Sequence, residues 1–256
     1  MTWEALLLIA GAGFLGGAVN AAAGGGTLIS FPALMAAGLP PLQANVTSSV
    51  GMLTGYAGGA IGYRRELKAQ GPRLLSFGIT ALLGGILGAL LLLVTDPSIF
   101  DGIVPFLVIG SAVLLAVQPF LAARLKAKRA AAGEGEAGSE VTWAAQFGIF
   151  VASVYGSYFG AGLGVLLLAV MGIFLSGTFQ SLNGLKSLIA LLVNAVGVVI
   201  FLFSGLVDPL AVAVLAPAAL LGGTVGAQVA RKVPDTVLRV AVIVLGLVVG
   251  ISMLFR

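Results

Sequence analysis

The chain has 256 residues, of which 59 % are hydrophobic and 9 % charged, and its mean hydropathy is +1.15. Soluble domains carry about 25 % charged residues, so this composition excludes an ordinary soluble protein and describes one integral membrane domain with several spans. Neither histidine nor cysteine occurs, which excludes disulfides, Cys/His metal centres and Ser-His catalysis, and the net charge of +4 reflects basic residues beside the spans rather than a nucleic-acid surface.

The start, MTWEALLLIAGAG, has no positive n-region and no cleavage site behind it, so no removable signal peptide is expected. Apolar runs between charge clusters predict eight helical segments, at about 4–37, 42–63, 73–95, 101–123, 143–175, 180–203, 208–230 and 236–255. Six suit single spans of about 20 residues. The first and fifth are far longer, and both contain glycines that break a helix. In the first stands NAAAGGGTLISFP, where Gly24, Gly25 and Gly26, and then Pro32, weaken the helix. Such a break permits a tight reversal. Unpaired backbone at membrane depth needs protein or a watery cavity beside it. That suits a ligand site, and equally a close helix crossing with no ligand.

The second segment opens on QANVTSSV, bringing Gln43, Asn45, Thr47, Ser48 and Ser49, and is followed by Arg64, Arg65, Lys68 and Arg73. The third carries Gly84-x-x-x-Gly88, a close-packing pattern. The fourth ends at Arg124, Lys126, Lys128 and Arg129, inside a small-residue-rich linker over 124–141 that is predicted flexible. The fifth has GAGLG at 160–164, and the sixth opens on SLNGLKSL with Asn183, Lys186 and Ser187. The seventh carries Gly222-x-x-x-Gly226 and is followed by Arg231, Lys232 and Arg239. The turns at Asp96, Asp101 and Asp208 hold no Lys or Arg. The positive-inside rule makes the three basic clusters cytoplasmic, leaving only Lys186 and Arg256 outside the pattern. The linker is then cytoplasmic and the N-terminus faces outward. Each long segment starts and finishes on one side, so it must cross twice or turn back partway.

A shift of 138 residues superposes the halves without a gap. Gly24 and Gly26 land on Gly162 and Gly164, Asn45 on Asn183, Ser49 on Ser187, and LGGILGA at 83–89 on LGGTVGA at 221–227. The charges do not repeat, as expected of a duplication inserted upside down. The predicted organisation is all-α: membrane repeat 1 over 1–123, the linker over 124–141, and an inverted repeat 2 over 142–256. Paired broken helices in inverted halves are characteristic of secondary transporters, which bind substrate where the breaks meet.

The embedded polar residues gather at the starts of the second and sixth segments. Helix N-termini attract anions through unpaired N–H groups. Asn45, Thr47, Ser48, Ser49, Asn183 and Ser187 add donors, and Lys186 adds a full charge. Any one of these polar residues equally serves as helix glue or a cap, the favoured reading for Asn20 and Asn194. Lys186 either snorkels to the cytoplasmic boundary or contacts substrate, as embedded charges do by default. No Asp or Glu lies deep in a span, and no P-loop pattern occurs. No catalytic residue, metal ligand or cofactor is therefore expected, and the protein reads as a non-enzyme.

The stretch AAAGGGTLISFPALMAAGLPPLQANVTSSV resembles the first-half motif of the sulfite exporter TauE/SafE family, through Gly24 to Gly26, Pro32, Gly38, Ala44, Thr47 and Ser48. The second half, from LNGLKSL onward, is similar to many members, including Asn183-x-x-Lys186. The resemblance implies a bacterial inner-membrane permease for small sulfur anions such as sulfite or organosulfonates. The second copy departs from the pattern, with Val170 in place of Pro32 and Leu185 in place of Thr47, so its break is expected to be less sharp. The reading is an alternating-access transporter whose substrate-binding set is Gly24, Gly25, Gly26, Asn45, Thr47, Ser48, Ser49, Asn183, Lys186 and Ser187. Its partners are the small anion, membrane lipid and an unassigned coupling ion, H+ or Na+, with no nucleic acid; a homo-oligomer is compatible. A non-transporting membrane scaffold and an anion channel are the alternatives.

Overall fold

Ten helices organise the described residues. The first long segment gives α1 (Trp3–Ala22) and α2 (Thr27–Ala36), followed by α3 (Pro41–Gly62), α4 (Gly71–Val94) and α5 (Pro97–Ala131). The second long segment gives α6 (Trp143–Tyr158) and α7 (Leu163–Phe174), followed by α8 (Phe179–Leu202), α9 (Pro209–Val229) and α10 (Asp235–Leu254). The computed structural model describes residues 1–22, 25–64, 67, 71–131, 141–175, 179–229 and 235–255, with no strand among them. Gly24, Arg65, Lys68, Arg231, Lys232, Arg256 and residues 132–140, half of the predicted linker, lie outside the described residues.

Both long segments break at their glycines, but for different physical reasons. At the second break Gly160 and Gly162 have φ of +79° and +80°, a left-handed conformation that strains any residue with a Cβ. Gly162 is also the N-cap of α7. At the first break Gly26 has an ordinary φ of −59°. It is required there by proximity, because a Cβ would collide with the Gly16 carbonyl. The second break needs neither a triplet nor a proline: two left-handed glycines turn the chain there. Pro32 does not end α2; it sits inside the helix, a placement membrane helices tolerate when neighbours satisfy the freed carbonyl.

The boundary after the fourth segment also shifts. Helix α5 continues through Ala131, so the first part of the predicted linker is helical. The run AARLKAKRAA consists of strong helix formers and contains no Gly or Pro. At the other end of α5, Asp96 Oδ1 accepts from the Ser98 N–H at 2.8 Å and the Ser98 hydroxyl at 2.6 Å.

Small residues set the helix pairings. Along α1 and α9, a Cβ on Gly13 would meet the Leu215 carbonyl oxygen at 2.9 Å, one on Gly17 would strike the Ala219 carbonyl, and one on Gly222 the Phe14 carbonyl. Along α4 and α6, Gly84 faces the Phe150 carbonyl and Gly88 that of Val154. Gly84, Gly88 and Gly222 thus act as predicted, admitting a neighbouring backbone. Residue numbers rise together within each pair, so α1 runs parallel to α9, and α4 parallel to α6.

Exchanging α1–α5 for α6–α10 preserves the principal pairings. α1–α9 maps onto α6–α4, α3–α9 onto α8–α4, and α2–α10 onto α7–α5, while α3–α8 and α5–α10 map onto themselves. The starts of α3, α4 and α5 at Pro41, Gly71 and Pro97 recur 138 residues later, at Phe179, Pro209 and Asp235. Helices α1, α4, α5 and α8 contain apolar stretches long enough to cross a membrane, and α2, α7, α9 and α10 carry shorter ones. Among the described residues α3 fails that test because QANVTSSV lowers its hydropathy, yet it is enclosed: Ala44 to Ser48 are all fully buried. Outward-facing Leu75, Phe106, Phe120 and Val248 are each more than half exposed, an apolar exterior that lipid, not water, covers.

Candidate functional site

The site is assembled where the two breaks meet α3 and α8. The start of α2 reaches the second break: Thr27 Oγ1 lies 3.8 Å from the position of a Cβ on Gly160. Phe31 and Phe159 meet edge to face at 5.4 Å just beside it. Across the same junction Asn45 Nδ2, on α3, donates to the Tyr158 carbonyl at the end of α6, at 2.9 Å. From the other side Ser111 Oγ, on α5, donates to the Ala161 carbonyl at 3.0 Å and pairs with the Tyr155 hydroxyl at 2.6 Å. The freed backbone of the second break is thus satisfied by side chains from two helices, as burial in an apolar medium demands.

Beside this junction lies a small pocket lined by Asn20, Tyr56, Gly164, Lys186 and Ser187 among others. It touches both breaks: Asn20 is in the last turn of α1 and Gly164 in the first turn of α7. Lys186 is 4 % exposed, and among the described residues no carboxylate lines the pocket. The Gly164 N–H belongs to the first turn of α7, whose amides lack intrahelical carbonyls and carry the positive end of the helix dipole. The Tyr56 hydroxyl hydrogen-bonds with Thr27 and Asn194, and Asn194 Nδ2 donates to the Ala190 carbonyl at 2.8 Å. Ser187 Oγ donates to the Asn183 carbonyl at 2.8 Å. Among the described residues Asn20 Oδ1 is buried with no hydrogen-bond partner.

Of the ten residues the sequence proposes, the cavity collects Lys186 and Ser187, with Asn183 one turn away on α8. Gly24 lies outside the described residues, Gly25 backs onto Leu115, and Gly26 closes on Gly16. Thr47 Oγ1 accepts from the Asp208 N–H at 3.1 Å and so holds the start of α9. The Ser48 hydroxyl pairs with that of Ser30 at 2.7 Å, and Ser49 Oγ donates to the Asn45 carbonyl at 3.0 Å. Three lining groups escaped the sequence reading. The sequence favours helix glue for Asn20 and assigns no role to Tyr56 or Gly164. The signal was present for two of them: Gly164 is the 138-residue mate of Gly26, and Tyr56 is the mate of Asn194, to which it hydrogen-bonds.

These features define a class: a polytopic helical membrane protein whose paired broken helices border a pocket with a buried lysine. The model of the family described as Sulfite exporter TauE/SafE matches residues 9–253. The chain belongs to that family, and it is a membrane transporter. It is 24 % identical over 246 residues to a probable membrane transporter protein of Haemophilus influenzae, covering 95 % of this chain and 92 % of that one. It is 32 % identical over 108 residues to the probable membrane transporter proteins ORF9 of Sinorhizobium sp. and YfcA of Escherichia coli K12. Those two alignments cover 42 % of this chain, and 41 % and 40 % of the relatives. No solved structure matches the chain.

Proposed function

We propose that the protein is a permease of the bacterial inner membrane that moves a small anion, sulfite or a related sulfur oxyanion or organosulfonate, by alternating access. One observation carries the reading: the buried Lys186 lines a cavity that touches both helix breaks. Burying a full charge in an apolar interior is costly, and a bound anion would offset part of that cost. The Gly164 amide and the helix α7 dipole favour the same sign of ligand. The substrate set begins with Lys186, Ser187, Asn20, Tyr56 and Gly164. Asn45, Asn183, Gly25, Gly26, Thr47, Ser48 and Ser49 surround it, as residues that shape the breaks or come into reach as the halves rock.

The two halves act as inverted repeats, a reading that the exchange of helix partners supports. The N-terminus then faces outward, with Arg64, Arg73 and Arg124 cytoplasmic. Purified protein in proteoliposomes provides the test. Wild type carries out saturable sulfite or sulfonate countertransport, and Lys186→Ala abolishes it while remaining folded by circular dichroism and gel filtration. Unchanged flux and affinity in a folded Lys186→Ala protein would reject the site. A membrane scaffold built from the same helices would show no thermal stabilisation by the anion, whereas a carrier gains stability from its ligand by mass action.

A further inference from the structure

We propose that the end of α6 holds a singly charged metal cation, Na+, in a site built on Asn45. The site stands by itself; its role as the coupling ion rests on the anion-carrier reading. Among the described residues the buried side-chain atoms without a hydrogen-bond partner are Asn20 Oδ1, Asn45 Oδ1 and Ser157 Oγ. Asn20 stands in the last turn of α1 and Ser157 in the last turn of α6. Asn45 Nδ2 donates to the carbonyl of Tyr158, the residue that ends α6. All three therefore gather where a broken helix stops. That is the negative end of a helix dipole, where the last carbonyls lack intrahelical partners. Asn45 is fully buried, and its amide cannot be turned round, because only the nitrogen can donate to the Tyr158 carbonyl. Oδ1 thus stays an acceptor beside other acceptors. The Tyr158 carbonyl keeps a second lone pair, and the Gly156 and Ser157 carbonyls point along the same helix axis. Converging oxygens of this kind suit a cation, and half-helix C-terminal ends serve Na+ in transporters with broken helices.

The repeat explains why this end, and not the other, calls for a free cation. Under the 138-residue offset Asn45 is the mate of Asn183, Tyr158 of Asn20, and Ser48 of Lys186. At the α1 end the chain brings its own cation, because Lys186 lines the pocket with Asn20. At the α6 end the same position is Ser48, fully buried and paired with Ser30. The surroundings agree in sign. Thr47 Oγ1 accepts from the Asp208 N–H at 3.1 Å, and the Tyr158 hydroxyl donates to Thr95 Oγ1 at 3.3 Å, next to Asp96. The site thus lies beneath two acidic turns that contain no Lys or Arg. Asp208 accepts from the Ala211 N–H and Asp96 from the Ser98 N–H, so both carboxylates cap their own helices and act on the ion through their field. Charge then selects the ion. Asn45 and the α6 carbonyls are neutral, and among the described residues no three His, Cys, Asp or Glu side chains group to hold a metal. Ca2+ and Mg2+ sites draw on carboxylates, so a neutral cage suits a singly charged ion.

The experiment uses the full chain in detergent, without sulfite or sulfonate. Binding of radiolabelled sodium is followed at constant ionic strength against choline, and thermal unfolding is followed in the same series. Wild type is expected to bind sodium saturably, and its unfolding midpoint should rise with sodium but not with choline. Asn45→Ala removes the unpartnered oxygen and is expected to weaken sodium binding about tenfold or more while the fold persists by circular dichroism. If that variant does not fold, the wild-type titration still decides. A folded wild type with no saturable sodium binding overturns the site. So does magnesium binding tighter than sodium, or a folded Asn45→Ala protein with unchanged sodium affinity. In proteoliposomes an imposed sodium gradient is then expected to drive sulfite accumulation, and sulfite flux indifferent to sodium overturns the coupling role. A protein that binds sodium but moves neither sulfite nor sulfonate defeats the carrier reading and the coupling role with it, and leaves the cation site standing.

Discussion

Lys186 stands out in the sequence because an ammonium inside an apolar run has few structural uses, and the structure buries it beside the pocket. The hydroxyl residues do not stand out, because a serine or threonine that caps, glues or binds looks the same in sequence. Thr47 and Ser48 turned out to spend their hydroxyls on Asp208 and Ser30, and only the packing of α9 and α2 reveals it. Glycines are similarly mute about their reasons. Gly162 is needed for its φ of +80°, whereas Gly102 sits in α5 with open space where a Cβ would go. The two should respond oppositely to alanine. Gly162→Ala is expected to lose roughly 1–2 kcal/mol through left-handed strain, and Gly102→Ala to gain up to about 1 kcal/mol from helix propensity. Thermal unfolding in one detergent compares them directly; a lower midpoint for Gly102→Ala than for Gly162→Ala would contradict the assignment.

At the scale of elements, the apolar pattern located the ten helices described above, since period and length are carried by many residues at once. Breaks and ends were less legible. The second break lacks a triplet and a proline, and positive φ at Gly160 and Gly162 supplies its turn instead. Helix α5 overran its expected end because local propensity outlasts the apolar run. Its start depends on Asp96, whose carboxyl is held below the usual range by the Ser98 hydroxyl first and the Ser98 amide second. That cap contributes above the ordinary pKa of an aspartate and fades as pH falls through the depressed value, so the α4–α5 turn should loosen only in acid. Hydrogen exchange of the Ser98 and Ile99 amides against pH reads it. Packing between elements makes a stronger demand. A valine at Gly88 meets the Val154 carbonyl, which is backbone and cannot swing aside. Gly88→Val is therefore expected to separate α4 from α6 and to cost about 1–3 kcal/mol or more, seen as a lowered denaturation midpoint. Gly110→Val, facing open space on α5, should leave that midpoint within about 0.5 kcal/mol.

For the whole molecule, the 138-residue offset read from glycines and asparagines reappears in the starts of three helix pairs and in the exchange of their partners. Helix α1 packs on α9 and α6 on α4, so neither half can bury its broken helix alone. The halves interlock, and the cavity draws Asn20 and Tyr56 from one and Gly164, Lys186 and Ser187 from the other. Relative motion of the halves must therefore change the cavity itself, the physical requirement for alternating access. Opposite orientation of the halves is the step on which this mechanism turns, and the chain is well suited to test it. With no native cysteine, each introduced thiol reports without background. Arg64→Cys and Arg124→Cys mark the ends of the basic segments, while Asp101→Cys and Phe203→Cys mark the acidic turns; all four native residues are exposed. A membrane-impermeant maleimide applied to intact spheroplasts should label positions 101 and 203, and reach 64 and 124 only after permeabilisation. Labelling of 64 and 203 from the same side would place α3 and α8 in one direction, and the two breaks could not then face each other as mates.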